Sequence, residues 1–325
     1  MLYPLLFQTN LFPIVWGGHR LRQIKGMSPA DEPVGESWEV SAVSGKESIV
    51  ANGPLAGRNL RELTAEYGAD MLGKHVQERF GNEFPLLVKF IDAEKDLSIQ
   101  VHPNDALAME RHGCMGKTEM WYVVDAKPGA YLYVGFSESI SAEEYQRRVG
   151  DGTICDVLAK HFIRPGDAFF IPAGRIHAIC GGALIAEIQQ SSEITYRIYD
   201  YDRLGMDGKP RELHTELAVD ALDYAVHKEY SINYLRQENV PSIVCGCEFF
   251  SVNRLCINHA MERRLGHIES FVIYMCLGGE CRIGESVLLT HGQTCLVPAS
   301  CSGVTLTPVG ENGTAELLEV YIENA

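Results

Sequence analysis

The chain has 325 residues, 46% of them hydrophobic and 22% charged, with a formal charge of −15. That acidity opposes nonspecific binding to nucleic acid or to an anionic membrane, and no apolar run approaches the roughly 18 residues a membrane-crossing helix needs. Ten cysteines are scattered without a C-x-x-C pair, a usage expected of the reducing cytosol rather than of a disulfide-framed secreted domain.

The N-terminal residues Met1-Leu-Tyr-Pro-Leu-Leu-Phe-Gln8 are apolar but lack preceding basic residues and an Ala-x-Ala site, so they do not read as a signal peptide. Residues 1–57 are short apolar pieces broken by Pro, Gly and Asn, the pattern of strands and loops. Asn59 is an expected N-cap for a helix over 59–79, where Leu60 and Leu63 are three apart with charges between them. Phe84–Ile91 reads as a buried strand carrying one lysine, Lys89.

Leu97-Ser-Ile-Gln-Val-His102 reads as a strand that Pro103 ends, since proline donates nothing to a sheet ladder. Gln100 and His102 are two apart and so share one face. Glu119 opens a second apolar run, Met120–Val124. An amide oxygen, an imidazole and a carboxylate suit zinc or a similar divalent ion. Taken alone, the pattern equally describes an ordinary histidine at a strand end.

Ala130–Gly135 reads as a strand, and Ser141–Val149 as a short helix with Ser141 as cap and Glu144 at the capping-box position. The run Arg164–His177 shifts the balance towards a metal. Gly166 precedes Pro172 by six, Gly174 follows it by two, and His177 comes three later. Such spacing sets two tight turns around one short strand, Phe169–Ile171, and aims His177 from a rigid scaffold. Gln100, His102, Glu119 and His177 then make a four-donor shell, or a three-donor site with water. The G-x5-P-x-G-x2-H spacing resembles the second motif of the cupin family of small β-barrels. Leu184–Ile188 is a further strand.

Residues 209–228 read as mainly helical, with Leu217, Val219, Leu222 and Tyr224 apolar, as a cover over the mouth of a barrel. Residues 230–243 are polar and contain Pro241. The segment 244–325 is again short strands and turns, and it resembles a copy of the first part. At an offset of 126, Ile171-Pro-Ala-Gly174 lies on Val297-Pro-Ala-Ser300 and His177 on Gly303. At an offset of 150, Gly116–Glu119 lies on Gly266–Glu269. The expected fold is mainly β: two cupin-like jelly-roll barrels, a metal-binding barrel over 1–208 and one without the metal motif over 244–325, joined by a helical segment and linker over 209–243. His112, His161, His214, His227, His259, His267 and His291 lie in contexts that do not read as ligand sets.

Trp16-Gly-Gly, Gly35-Glu-Ser-Trp-Glu, Leu97-Ser-Ile-Gln-Val-His-Pro-Asn-Asp, Gly116-Lys-Thr-Glu-Met-Trp and Pro172-Ala-Gly-Arg-Ile-His-Ala together resemble the type I mannose-6-phosphate isomerase family, in its shorter bacterial form. The resemblance implies a zinc-dependent cupin enzyme, with one divalent ion per chain, that interconverts mannose 6-phosphate and fructose 6-phosphate. It implies Gln100, His102, Glu119 and His177 as metal ligands and Arg197 as the active-site arginine, with Arg203 as the alternative register. It further implies Lys89, Lys117 and Ser98 as substrate-binding positions, and Glu187 and Glu193 as acidic positions near the arginine.

Aldose–ketose isomerisation needs a fixed positive charge for the oxygen that turns negative and a base for the proton. Glu187, Glu193 and Lys117 all remain candidates for that base. The expected ligand is a small sugar phosphate, with no nucleic acid or membrane partner; the number of subunits is left open. Two other readings are a catalytically silent metal-binding cupin acting as a sugar-phosphate sensor or structural protein, and an iron cupin dioxygenase. The second fits less well, because the lysine and arginine set suits phosphate better than oxygen.

Overall fold

The computed structural model describes residues 2–28, 31–310 and 313–324. Every described strand pairing is antiparallel. A seven-stranded sheet runs in the order Ser231–Ile232, Ala168–Ile171, Glu119–Ala126, Ala183–Gln190, Leu86–Ala93, Leu11–Gly18, Val34–Val40. A five-stranded sheet has the order Tyr196–Tyr199, Ile99–Val101, His177–Ile179, Tyr131–Phe136, Leu158–Phe162. A nine-stranded sheet carries the C-terminal strands from Ser242–Gly246 to Ala315–Tyr321. Among the described residues no helix is long and apolar enough to cross a membrane.

The seven- and five-stranded sheets face each other. Trp16, Ile91, Trp121, Leu132, Val134 and Ile179 fill part of the space between them. The alternation of the five-stranded sheet is clean. Ile99, Val101, Ala178, Tyr196 and Ile198 point outward into a separate cluster that also holds Tyr145, Ala218 and Leu222. Their neighbours Gln100, His177 and Arg197 therefore point inward. The region between the sheets thus has an apolar part and a polar part, and the polar part is the site.

The helices depart from the sequence expectations. The helix over 59–79 is three helices, Leu60–Tyr67, Ala69–Leu72 and Lys74–Phe80, broken at Gly68 (φ 49°) and Gly73 (φ 93°). Asn59 is the cap, accepting from the Glu62 amide at 2.8 Å. The break at Gly73 has a purpose in the packing. A Cβ there would sit 1.9 Å from the Glu269 carbonyl oxygen. The adjoining backbone is tied to the C-terminal half by Phe271 N–H on Leu72 O at 3.1 Å and Ser300 N–H on Asp70 O at 2.9 Å. Gly73→Ala is expected to destabilise the fold by roughly 2–4 kcal/mol, read as a lower urea midpoint.

The stretch 209–228 is helical only over Thr215–Ala221. That helix does not cover a barrel mouth. Its Ala218, with Leu222 just beyond the C-terminal end, packs on the outer face of the five-stranded sheet. The sheets also cross the expected boundaries at 208 and 243. Leu5–Leu6 pairs with Thr294–Val297 in the C-terminal sheet, and Ser231–Ile232 pairs with Ala168–Ile171 in the N-terminal one. Two-residue strands carry no period and cannot be read from a sequence.

The internal repeat holds at the first offset and shifts at the second. Ile171 pairs with Glu119, and Val297 pairs with Val272. With 297 − 171 = 126, the position matching Glu119 is Val272 (272 − 119 = 153), not Glu269. A valine thus stands in the C-terminal half where the N-terminal half has its carboxylate.

Candidate metal centre and active-site cavity

Backbone contacts bring the two chemistry-bearing stretches together. Lys117 N–H donates to Pro103 O at 3.1 Å, and Gly174 N–H donates to His102 O at 2.8 Å. Sheet register does the rest. Gln100 lies directly between His177 on one neighbouring strand and Arg197 on the other. On the facing sheet, Glu187 lies between Lys89 and Trp121, and Lys89 is also opposite Trp38. Glu119 is two residues from Trp121 on the same strand and so shares its face.

His102, Glu119 and His177 are all buried, and one donor atom from each lies within 4.8 Å of the others. The two Nε2 atoms are 3.5 Å and 3.4 Å from the Glu119 oxygens. Each Nδ1 is held by a backbone carbonyl at 2.8 Å, Ile194 for His102 and Arg175 for His177. A carbonyl only accepts, so each Nδ1 carries the proton and each Nε2 lone pair faces inward. Burial, helped by the charge of Lys117, pushes the His102 imidazole well below its ordinary pKa. Burial pushes His177 down to about 3. Both rings are therefore neutral, the form that binds a metal.

Glu119 is the residue that most needs a cation. Neither carboxylate oxygen has a hydrogen-bond partner among the described residues. Lys117 Nζ lies 3.1 Å from Oε2 without hydrogen-bonding alignment. Burial, with the charge of Glu187 behind it, raises the carboxyl to about 7. A buried carboxylate with no hydrogen bond and a single ammonium beside it is costly unless it also coordinates a metal. Two inward imidazole lone pairs and an unpartnered carboxylate form a donor set that a divalent ion fits. Gln100 stands beside this set, its Nε2 3.2 Å from His177 Nε2. Turned over, its amide would present Oε1 to the same space.

A cavity of about 300 Å³ opens beside the group, at the small end of the range for ligand pockets. Lys117 and Gln100 line it and also touch the metal-type group, Lys117 Nζ lying 3.2 Å from His102 Nε2. Lys89, Glu187, Ser98, Glu193 and Arg197 line the same cavity. Lys89 is buried between two carboxylates, 3.3 Å from Glu187 and 3.5 Å from Glu36. Burial alone would lower the pKa of this lysine, but the charges of Glu36 and Glu187 outweigh it and raise the pKa. Burial alone would likewise raise Glu187, but Lys89 and Lys117 hold its carboxyl below the ordinary range. Trp121 Nε1–H donates to Glu187 Oε2 at 2.8 Å and fixes its orientation.

A model of the type I phosphomannose isomerase catalytic domain matches residues 5–130. Over 306 residues, 92% of this chain and 93% of the relative, the chain is 35% identical to the mannose-6-phosphate isomerase of Streptococcus mutans. The chain belongs to the type I phosphomannose isomerase family. It is 32% identical to the mannose-6-phosphate isomerase ManA of Bacillus subtilis, over 89% of this chain and 93% of that one. The crystal structure of the mannose 6-phosphate isomerase from Bacillus subtilis superposes with a TM-score of 0.87 at 34% identity, covering 98% of this chain and 99% of the other. The mainly β cupin fold expected of a phosphomannose isomerase is thereby confirmed.

Within this phosphomannose isomerase chain, the sequence-predicted residues fall at different depths. Gln100, Lys89, Lys117 and Glu187 sit at the metal end. Ser98 reaches Gln100 Oε1 with its hydroxyl at 3.4 Å. Glu193 pairs with Lys46 at the exposed mouth, not with Arg197. Arg197 donates to the Glu212 carbonyl at 2.8 Å, and its Nε is buried without a hydrogen-bond partner among the described residues. Arg203 is bound to Asp200 at 2.7 Å and is not part of the cavity lining, so of the two expected registers Arg197 is the one that lines the pocket. Sequence reasoning assigned no role to Glu36, Trp38, Lys46 or Arg211, all of which line the cavity. Glu36 and Trp38 lie within the Gly35-Glu-Ser-Trp-Glu motif, whose two-residue alternation was the available signal. Lys46 and Arg211 come from loops with no pattern to mark them.

Proposed function

We propose that this chain interconverts mannose 6-phosphate and fructose 6-phosphate, using a zinc ion held by His102, Glu119, His177 and Gln100. The observation that carries the reading is a buried His/Glu/His group that reaches a polar cavity through Lys117 and Gln100. A divalent ion bound there would supply Lewis-acid stabilisation of negative charge on substrate oxygens.

The protein's own groups divide the remaining work. The reaction moves a proton between carbon 1 and carbon 2 through an enediol. Glu187 is ionised, buried in the cavity wall and oriented by Trp121, so it is the base that takes the proton from one carbon and returns it to the other. Lys89 keeps Glu187 charged without blocking it, because Glu36 shares that lysine. Lys117 donates hydrogen bonds to substrate oxygens at the metal end, and Arg197 adds a fixed cation on the opposing sheet. Glu193, half-exposed and paired with Lys46, is not the base. The apolar wall of Trp16, Ile91, Leu97 and Ile179 excludes water from one side of the enediol.

A silent sensor would not need Lys117 and Arg197 turned into one cavity with an ionised Glu187. Ten unpaired thiols favour a cytosolic setting. A coupled assay for fructose 6-phosphate tests the activity. The expected result is turnover that a chelator abolishes and zinc restores. No turnover with metal fully loaded would end the isomerase reading.

A further inference from the structure

A six-carbon sugar phosphate carries its reacting carbons at one end and its phosphate at the other. The metal end of the cavity is a poor place for a dianion. Its two lysines already face carboxylates, Lys89 facing Glu36 and Glu187, and Lys117 facing Glu119. The mouth differs in what lies in its wall: Lys46 is paired only with a half-exposed Glu193, and the carboxylate that holds Arg211, Asp200, stands outside the cavity lining. Lys46, Arg197 and Arg211 line it against a single lining carboxylate, Glu193. Arg211 is held by Asp200 through Nε at 2.7 Å and Nη2 at 2.6 Å, which orients its guanidinium and leaves Nη1 uncommitted in the described contacts. Lys46 Nζ rests 4.7 Å from the centre of the Trp38 ring and 5.6 Å from that of Phe12. It is paired with Glu193, the two side chains being 38% and 41% exposed. An ion pair this open to water is held weakly and exchanges partners at little cost.

We propose that Lys46, exchanging Glu193 for the substrate, and Arg211, braced by Asp200, grip the phosphate at the cavity mouth and so direct carbons 1 and 2 towards the metal end. This rests on the isomerase reading and adds to it the residues that select a phosphorylated sugar. Trp38 links the two ends, since its ring also lies 5.1 Å from Lys89 Nζ and its indole N–H donates to Glu36 at 2.6 Å. Glu193 acts as a placeholder that keeps the acidic chain's few mouth cations in position until a stronger anion arrives.

Lys46→Met and Glu193→Gln give effects of opposite sign. Lys46→Met raises KM for mannose 6-phosphate about tenfold or more, with kcat within about twofold, and raises the competitive inhibition constant of inorganic phosphate in step. Lys46→Arg restores most of the loss. Glu193→Gln lowers both constants, because it frees Lys46. Unchanged constants in Lys46→Met, or a rise in both variants together, would show the pair to be a structural strut and overturn the proposal. Calorimetric titration of the same proteins with inorganic phosphate keeps the question separate from the isomerase reading. Weaker phosphate binding in Lys46→Met supports the grip even if the turnover assay fails, and equal binding refutes it.

Discussion

Glu187→Gln is expected to lower kcat by roughly 10²–10⁴-fold while leaving metal content and the fold intact. The substitution is nearly isosteric. The new amide oxygen still accepts from Trp121, which now donates to Oε2 at 2.8 Å. Lys89 keeps Glu36 at 3.5 Å as a counter-charge. What disappears is the ability to accept a proton from carbon. The decisive form of the measurement is exchange of the substrate's carbon-2 proton with deuterated solvent, which should fall along with kcat. A loss of less than about tenfold would pass the base role to Lys117, the other candidate base at the metal end.

His177→Ala should have the second large effect, and by a different route. One of the two inward lone pairs is lost, and Gln100 loses the imidazole that lies 3.2 Å from its amide. The unpartnered oxygens of Glu119 then face only His102 and Lys117. The expected result is protein that retains little zinc after dialysis and turns over roughly 10³-fold more slowly, since a Lewis acid contributes several kcal/mol and each 1.36 kcal/mol is tenfold in rate. The fold should persist. His177 sits on a strand held on both sides, by Gln100 and by Val134. Full zinc retention in this variant would remove His177 from the ligand set.

The buried group of His102, Glu119 and His177 was legible in the sequence because its signals are local. Pro103 after His102 ends a strand, and Gly166, Pro172 and Gly174 impose turns whose geometry depends on a few residues at a time. Family resemblance then joined stretches that spacing alone could not join. The groups that were missed owe their place to long-range register. Glu36 was missed in this way: Lys89 reads as one charge in an apolar strand, and nothing nearby says that Glu36 will share it with Glu187. Lys46 reaches the cavity only because Val34–Val40 pairs with Leu86–Ala93 and carries the following loop to the mouth. Arg211 depends on Asp200, eleven residues earlier across an irregular segment.

The errors of reading have the same origin. Leu60, Leu63 and the charges around them predicted one helix over 59–79, but Gly68 and Gly73 interrupt it so that the backbone can approach Glu269 and Phe271 of the C-terminal half. Leu217, Val219, Leu222 and Tyr224 predicted a helix roofing the cavity, but Val219, Leu222 and Tyr224 pack with the outer face of the five-stranded sheet and Leu217 is exposed. Aligning Gly116–Glu119 on Gly266–Glu269 matched letters, whereas the strand ladder matches Glu119 with Val272. In each case a pattern was present, and tertiary pairing determined its meaning.

One cation shared by His102, Glu119 and His177 is the centre of the proposed chemistry. Anomalous diffraction collected above and below the zinc absorption edge, from crystals of active protein, tests this most directly. The predicted result is a single strong peak per chain, within coordination distance of both Nε2 atoms and a Glu119 oxygen, with Gln100 beside it. Active crystals with no peak between these three side chains, or with their only peak elsewhere in the molecule, would contradict it.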